Sequence, residues 1–285
     1  MRKNALVTGF DNSVIARETI LLLVKRNYYI YATYESDKVD RATFMTENKM
    51  EGLISFEQIN YDSKESINYI IEKLHNIKFD AIVNCYATLA ETKSNGLRHE
   101  FFNFDFEEFG RVLNSNISTI AAICIGLKDS MVSGGCIVNV TSSAAEEGGF
   151  ATISYNASKA ALKNLSKSLA NNFGPYNGVR VNCVAPGWIP QSKDVVAGNV
   201  VELANKLTPL DLYGAPQNVA YAVLSLLENP YANNVNFGVD GGITSSYLMY
   251  LLESSDLSGN ETDELMKALI KLIGLAKESI IKNME

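Results

Sequence analysis

The chain has 285 residues, 47% of them hydrophobic and 20% charged, with 25 Lys and Arg against 32 Asp and Glu and a net charge of −7. This is the composition of an average globular chain, and it excludes disordered, collagen-like and disulfide-scaffold classes. The acidic balance and the lack of a long basic run argue against nucleic acid and anionic membrane as partners and leave a small molecule as the expected one.

Met1-Arg2-Lys3 and then Asn4-Ala5-Leu6-Val7-Thr8-Gly9 hold too short an apolar stretch for the core of a secretory signal. Short β-branched or apolar runs follow at 4–8, 29–34, 54–61, 81–84, 136–141, 179–184 and 235–239, and each is read as a strand. Between them lie helical spacings at 15–25, 64–74, 106–127, 155–173 and 216–227. Strand and helix thus alternate. That pattern predicts right-handed crossovers and a parallel sheet with helices on both faces, and the near-continuous hydrophobicity of the strands fits burial on both sides. The longest apolar run, 117–127, is interrupted by Ser118 and Thr119 and reads as a buried helix, far short of the roughly 20 residues of a membrane span. No repeat or linker divides residues 1–242, which are read as one domain, while 243–285 read as a helical extension. In that extension Ser258-Gly259-Asn260-Glu261 has capping-box spacing, and Leu265, Leu269, Leu272, Ala276 and Ile280 form an apolar stripe that packs on the domain or on a sister subunit.

Cys85, Cys124, Cys136 and Cys183 sit in apolar segments without a CxxC pair, as buried reduced thiols of a cytoplasmic protein do. His75 and His99 alone leave little material for zinc or a Ser-His-Asp triad, so no metal is expected.

The segment richest in chemistry is Tyr155-Asn156-Ala157-Ser158-Lys159, preceded by Ile137-Val138-Asn139-Val140-Thr141-Ser142 at a strand end. Tyr155 and Lys159 are four apart and share a helix face, so the ammonium is expected to approach the phenol and lower its pKa from about 10. With Asn116, Pro186-Gly187 and Val239-Asp240-Gly241-Gly242 in order, and 13 residues from Ser142 to Tyr155, the chain resembles the short-chain dehydrogenase/reductase family from Asn4 to Gly242. The resemblance implies a doubly wound Rossmann fold with a seven-stranded parallel sheet. It also implies hydride transfer between NAD(H) or NADP(H) and a carbonyl or alcohol, with Asn116, Ser142, Tyr155 and Lys159 as the catalytic tetrad. Tyr155 then exchanges a proton with the substrate oxygen, which Ser142 holds, and Lys159 also grips the nicotinamide ribose. Asn116, with Asn114 as rival, bends its helix and holds a proton-relay water.

The implied cofactor cradle comprises Gly9, Asp11, Ser13, Val14 and Ile15 in the first turn and Tyr34 and Glu35 after the second strand. Asp62, Asn84, Tyr155, Lys159, Pro186, Gly187 and Ile189 complete it, and Asp62 reads equally well as a helix N-cap. Glu35 and Asp37, with no basic residue at Asn12, lean towards NAD(H). The chain departs from the family at Ser13 and Ile15, where TGxxxGxG has glycines, at Asn84-Cys85-Tyr86-Ala87 against NNAG, and at Gln191 against a threonine. Ile15 is expected to add bulk at the pyrophosphate.

An intact tetrad points to a working enzyme, against the alternative of a binding protein that uses the fold without turnover. Reduction of 3-oxoacyl groups on acyl carrier protein is a second alternative, disfavoured because 129–136 and 168–179 carry no Lys or Arg for an acidic partner. Enoyl reductases of the divergent branch fit less well, since their Tyr and Lys are seven apart and position 162 is Leu. Glu146 and Glu147 read as a solvated pair or as contacts to a cationic or polyhydroxyl substrate, and Trp188 as a wall of the site or packing. The family is usually dimeric or tetrameric, so a homodimer or homotetramer is expected.

Overall fold

Seven apolar runs form seven strands: β1 (Lys3–Thr8), β2 (Tyr28–Tyr34), β3 (Ile54–Gln58), β4 (Phe79–Asn84), β5 (Met131–Val140), β6 (Arg180–Pro186) and β7 (Asn236–Val239). They make one parallel sheet in the order β3-β2-β1-β4-β5-β6-β7. The computed structural model describes residues 2–90, 104–148, 153–190, 208–210 and 212–244. Gln191, and the extension beyond residue 244 with its capping box and apolar stripe, lie outside the described residues.

The helices are α1 (Val14–Lys25), α2 (Arg41–Glu47), α3 (Lys64–Leu74), α4 (Phe106–Leu113), α5 (Thr119–Gly126), α6 (Ala144–Glu147), α7 (Ile153–Asn177) and α8 (Pro216–Glu228). Alternation along β1 sends Ala5 and Val7 to one face and Leu6 to the other. Ala5 and Val7 join a core cluster with Ile20 of α1 and Val223 of α8, and Leu6 joins a second with Ile70 of α3, Ile120 of α5 and Leu162 of α7. All seven residues of β6 are buried, as burial on both faces requires. Among the described residues, no helix is long and apolar enough to cross a membrane.

Two local features differ from the expected elements. The 106–127 helix is interrupted by a π-helical turn at Asn114–Ser118, which shifts the i to i−4 ladder where Asn116 enters the site. Helix α2 has no buried residue, so no apolar period marks it; Asp40 caps it by accepting from the backbone N–H groups of Ala42 and Thr43.

Candidate active site

Strand order reverses at β1, whose neighbours are β2 and β4, so a crevice opens beyond the carboxyl ends of these strands, where doubly wound sheets bind ligands. Its floor is the turn from β1 into α1. Gly9 there has φ +82°, and a Cβ on it would lie 2.8 Å from Tyr86 Cα and 2.9 Å from Tyr86 N. Gly9→Ala is therefore expected to cost more than the ~1–2 kcal/mol of a left-handed backbone, read as a lower urea midpoint; an unchanged midpoint refutes the close approach. Ser13 caps α1 by accepting from Ala16 N at 3.2 Å, and the helix N-terminus faces the crevice with its positive dipole end.

The catalytic candidates assemble further along the same sheet edge. Thr141 N donates to Val184 O and Ser143 N to Pro186 O, both at 2.8 Å, which pins the chain after β5 against the end of β6 and fixes Ser142 between them. Ser142 is hydrogen-bonded to the Tyr155 phenol from α7. Lys159 lies one turn further on, 1% exposed, with Nζ 5.6 Å from the Tyr155 ring centroid. Asn116, rather than Asn114, joins them: its Nδ2 donates to Ser158 Oγ and to Thr88 O, both at 2.9 Å, and its Oδ1 accepts from Thr88 N at 2.8 Å. Its side chain thus ties the segment after β4 to the catalytic helix.

The electrostatics correct one expectation. Burial pushes the Tyr155 phenol above its ordinary value, opposed only by the Ser142 hydrogen bond. Burial pulls the Lys159 ammonium down to about 8, partly offset by Cys85 and Cys183. Lys159 Nζ, 5.6 Å from the phenol ring centroid, instead donates at 2.7 Å to Val140 O and does not offset the effect of burial on Tyr155.

Of the residues the resemblance assigned to the cofactor, several are occupied otherwise. The Asp11 carboxylate accepts from Glu35 N at 3.2 Å and from Ser36 N and Oγ at 2.9 Å, so it binds the β2 loop to the first turn. Asp62 pairs with Arg111 at 3.4 Å and accepts from Ser115 Oγ, and the N-cap of α3 is Ser63. Asn84 Nδ2 donates to Asn139 Oδ1 at 2.8 Å in the core. Ile15 is 6% exposed and packs in a core cluster, so its bulk does not stand in the crevice. Tyr34 lies under the Arg41 guanidinium, Val14 is partly buried against the core, and Pro186, Gly187 and Ile189 line the end of β6. Glu146 is ion-paired with Lys163, which removes it as a free contact for a cationic substrate.

The arrangement fits the nicotinamide half of a dinucleotide: a paired hydroxyl and phenol, a buried lysine and a helix N-terminus converge on one crevice. Asn12 Oδ1, a buried acceptor without a partner beside Gly9, is a further polar group a ligand hydroxyl can satisfy. It does not fit the adenosine half as it stands, because Glu35, which the resemblance assigns to the ribose, already accepts from Tyr61 N at 3.3 Å and from the Tyr86 hydroxyl. Tyr61 and Tyr86 match no cofactor position of the family pattern, and the departure of Asn84-Cys85-Tyr86-Ala87 from NNAG is the one sign of them in the sequence. A groove of about 890 Å³ along β3 and α3, lined in part by Glu35 and Asp62, lies away from the tetrad.

The family model described as enoyl-(acyl carrier protein) reductase matches residues 10–244. Carbonyl reductase family member 4 of Danio rerio is 32% identical over 250 residues, covering 85% of this chain and 98% of the relative. The NAD-dependent glycerol dehydrogenase of Listeria innocua serovar 6a is 28% identical over 248 residues, 85% of this chain and 94% of the relative. The short-chain dehydrogenase/reductase structure from Serratia marcescens superposes with a TM-score of 0.74 at 22% identity, covering 85% of this chain and 98% of that one.

Proposed function

The chain belongs to the short-chain dehydrogenase/reductase family, and from that premise we propose that it interconverts a carbonyl and a secondary alcohol on a small molecule by nicotinamide-dependent hydride transfer. The observation that carries the reading is the Ser142, Tyr155 and Lys159 constellation held beyond the ends of β5 and β6. A bound nicotinamide supplies or accepts the hydride. In the reductive direction Tyr155 donates its phenolic proton to the carbonyl oxygen as negative charge develops there, and Ser142 hydrogen-bonds the same oxygen. In the oxidative direction the phenolate removes the hydroxyl proton. Lys159 lies close enough to stabilise that phenolate once a ligand draws Nζ from Val140 O, and Asn116 holds the catalytic helix in register with the segment after β4 and supports the proton relay.

Glu35 supports NAD(H) over NADP(H), since a carboxylate repels the extra phosphate. The same reading places the enzyme in a reducing cytoplasm, where the buried thiols of Cys85, Cys124, Cys136 and Cys183 stay reduced. It includes assembly into a homodimer or homotetramer, supported by exposed apolar residues such as Phe106 on α4 and Phe237 on β7.

Thermal unfolding with NAD, NADH, NADP and NADPH tests the cofactor, since a ligand at 100 times its Kd adds about 2.7 kcal/mol. A rise in Tm of several degrees with one pair, followed by its turnover on a panel of carbonyls and alcohols, is the expected result. No shift with any of the four or with reduced nicotinamide mononucleotide at millimolar concentration, together with no turnover, refutes the reading.

A further inference from the structure

Between the Ser142 and Tyr155 end of the crevice and the groove beside β3, the chain itself bridges the ends of the strands. The strand order sets the ends of β2, β1 and β4 side by side, and Tyr86, two residues beyond β4, reaches across the end of β1 to the Glu35 carboxylate beyond β2, to which its hydroxyl donates. Its ring stacks on Tyr61 with centroids 3.4 Å apart and planes at 14°. Its backbone N donates to Thr8 Oγ1 at 3.3 Å, and only 3% of the residue is exposed. Tyr61 is fixed in turn, its hydroxyl hydrogen-bonded to Thr33 Oγ1 at 2.5 Å and accepting from Gly9 N at 2.9 Å. Both hydroxyls of this pair have protein partners, and the carboxylate that a ribose hydroxyl would use already accepts from Tyr61 N at 3.3 Å as well as from Tyr86.

We propose that Tyr86 is a selectivity residue that closes the adenosine half of the cofactor site. The crevice then takes a reduced nicotinamide mononucleotide without rearrangement, and a dinucleotide only after the Tyr86 ring leaves Tyr61 and Glu35. This rests on the hydride-transfer reading above. The physical basis is the occupied acceptor and the buried ring. A ligand that needs a minor conformation binds with an apparent Kd raised by the inverse of that conformation's population, whereas a ligand that stops at the nicotinamide ribose meets no such factor.

The test is titration of the full chain with NADH and with reduced nicotinamide mononucleotide, following nicotinamide fluorescence, in the native protein, Tyr86→Ala and Tyr86→Phe. Tyr86→Ala is expected to lower the Kd for NADH at least tenfold and to change that for the mononucleotide less than twofold. Tyr86→Phe keeps the stack and removes only the bond to Glu35, so it gains two- to fivefold for NADH and carries the test if the alanine variant does not fold. NADH affinity unchanged or weaker in both variants, with both ligands still binding, overturns the role of Tyr86 and leaves hydride transfer standing. Binding of neither ligand to any folded version overturns both.

Discussion

Tyr155→Phe is expected to lower turnover about 10²- to 10⁴-fold, the usual contribution of a positioned general acid or base, while leaving the thermal shift on cofactor binding unchanged. The substitution removes one oxygen from a ring that stays in place on α7. Ser142 loses its hydrogen-bond partner on the phenol and the substrate oxygen loses its proton donor, but Lys159 keeps its bond to Val140 O. The raised Tyr155 pKa also fixes the pH dependence. Carbonyl reduction needs the protonated phenol and is expected to stay flat through neutral and mildly alkaline pH. Alcohol oxidation needs the phenolate and is expected to rise with pH over the same range. A loss below tenfold in Tyr155→Phe, or alcohol oxidation that falls as pH rises through this range, refutes the assigned role.

The central strands were legible because each is an apolar run that the sheet buries on both faces, the edge strand β7 being an exception with no buried residue, and the four candidate residues Asn116, Ser142, Tyr155 and Lys159 stand out because they keep the family's order and spacing. What the sequence hid depends on contacts between distant segments. The i,i+4 spacing of Tyr155 and Lys159 suggests an ammonium at the phenol, but Nζ is held by Val140 O, 19 residues earlier in the chain, on a neighbouring strand. Asp62 and Ser63 are adjacent candidates for capping α3, and the choice is made by Ser115 and Arg111, about 50 residues on, which engage Asp62. The unusual Asn84-Cys85-Tyr86-Ala87 is visible in the sequence, yet its consequence is not, because the stacking partner Tyr61 follows a different strand and the acceptor Glu35 a third. Helix α2 escaped for another reason: with no buried residue it has no period to read, and only the Asp40 cap announces it.

Lys159→Met is expected to remove activity and yet stabilise the folded chain at neutral pH. Burial lowers the Lys159 pKa from its ordinary 10.5 to about 8, so the folded state disfavours the charged form that the unfolded state keeps. Below pH 8 both states hold the proton, and the native protein carries the full penalty, about 3 kcal/mol for a fall of this size. Between about 8 and 10.5 the unfolded chain binds more protons than the folded one, so stability from this group rises with pH; above 10.5 both are neutral and the penalty is gone. Methionine keeps most of the packing volume without the charge, although Val140 O loses its donor at a cost of about 1–3 kcal/mol. The larger part of the gain is therefore visible in the pH dependence, since the lost hydrogen bond shifts both ends alike. Urea unfolding of the two proteins at pH 7 and pH 10 measures it: the difference in stability, variant minus native, is expected to fall by roughly 2 kcal/mol between the two. The same difference at both pH values shows that Lys159 is charged and well solvated in the fold, and removes the buried-lysine basis of the site. The activity lost with the charge is then the reason a destabilising lysine stands in the core at all, as strained active sites elsewhere trade stability for chemistry.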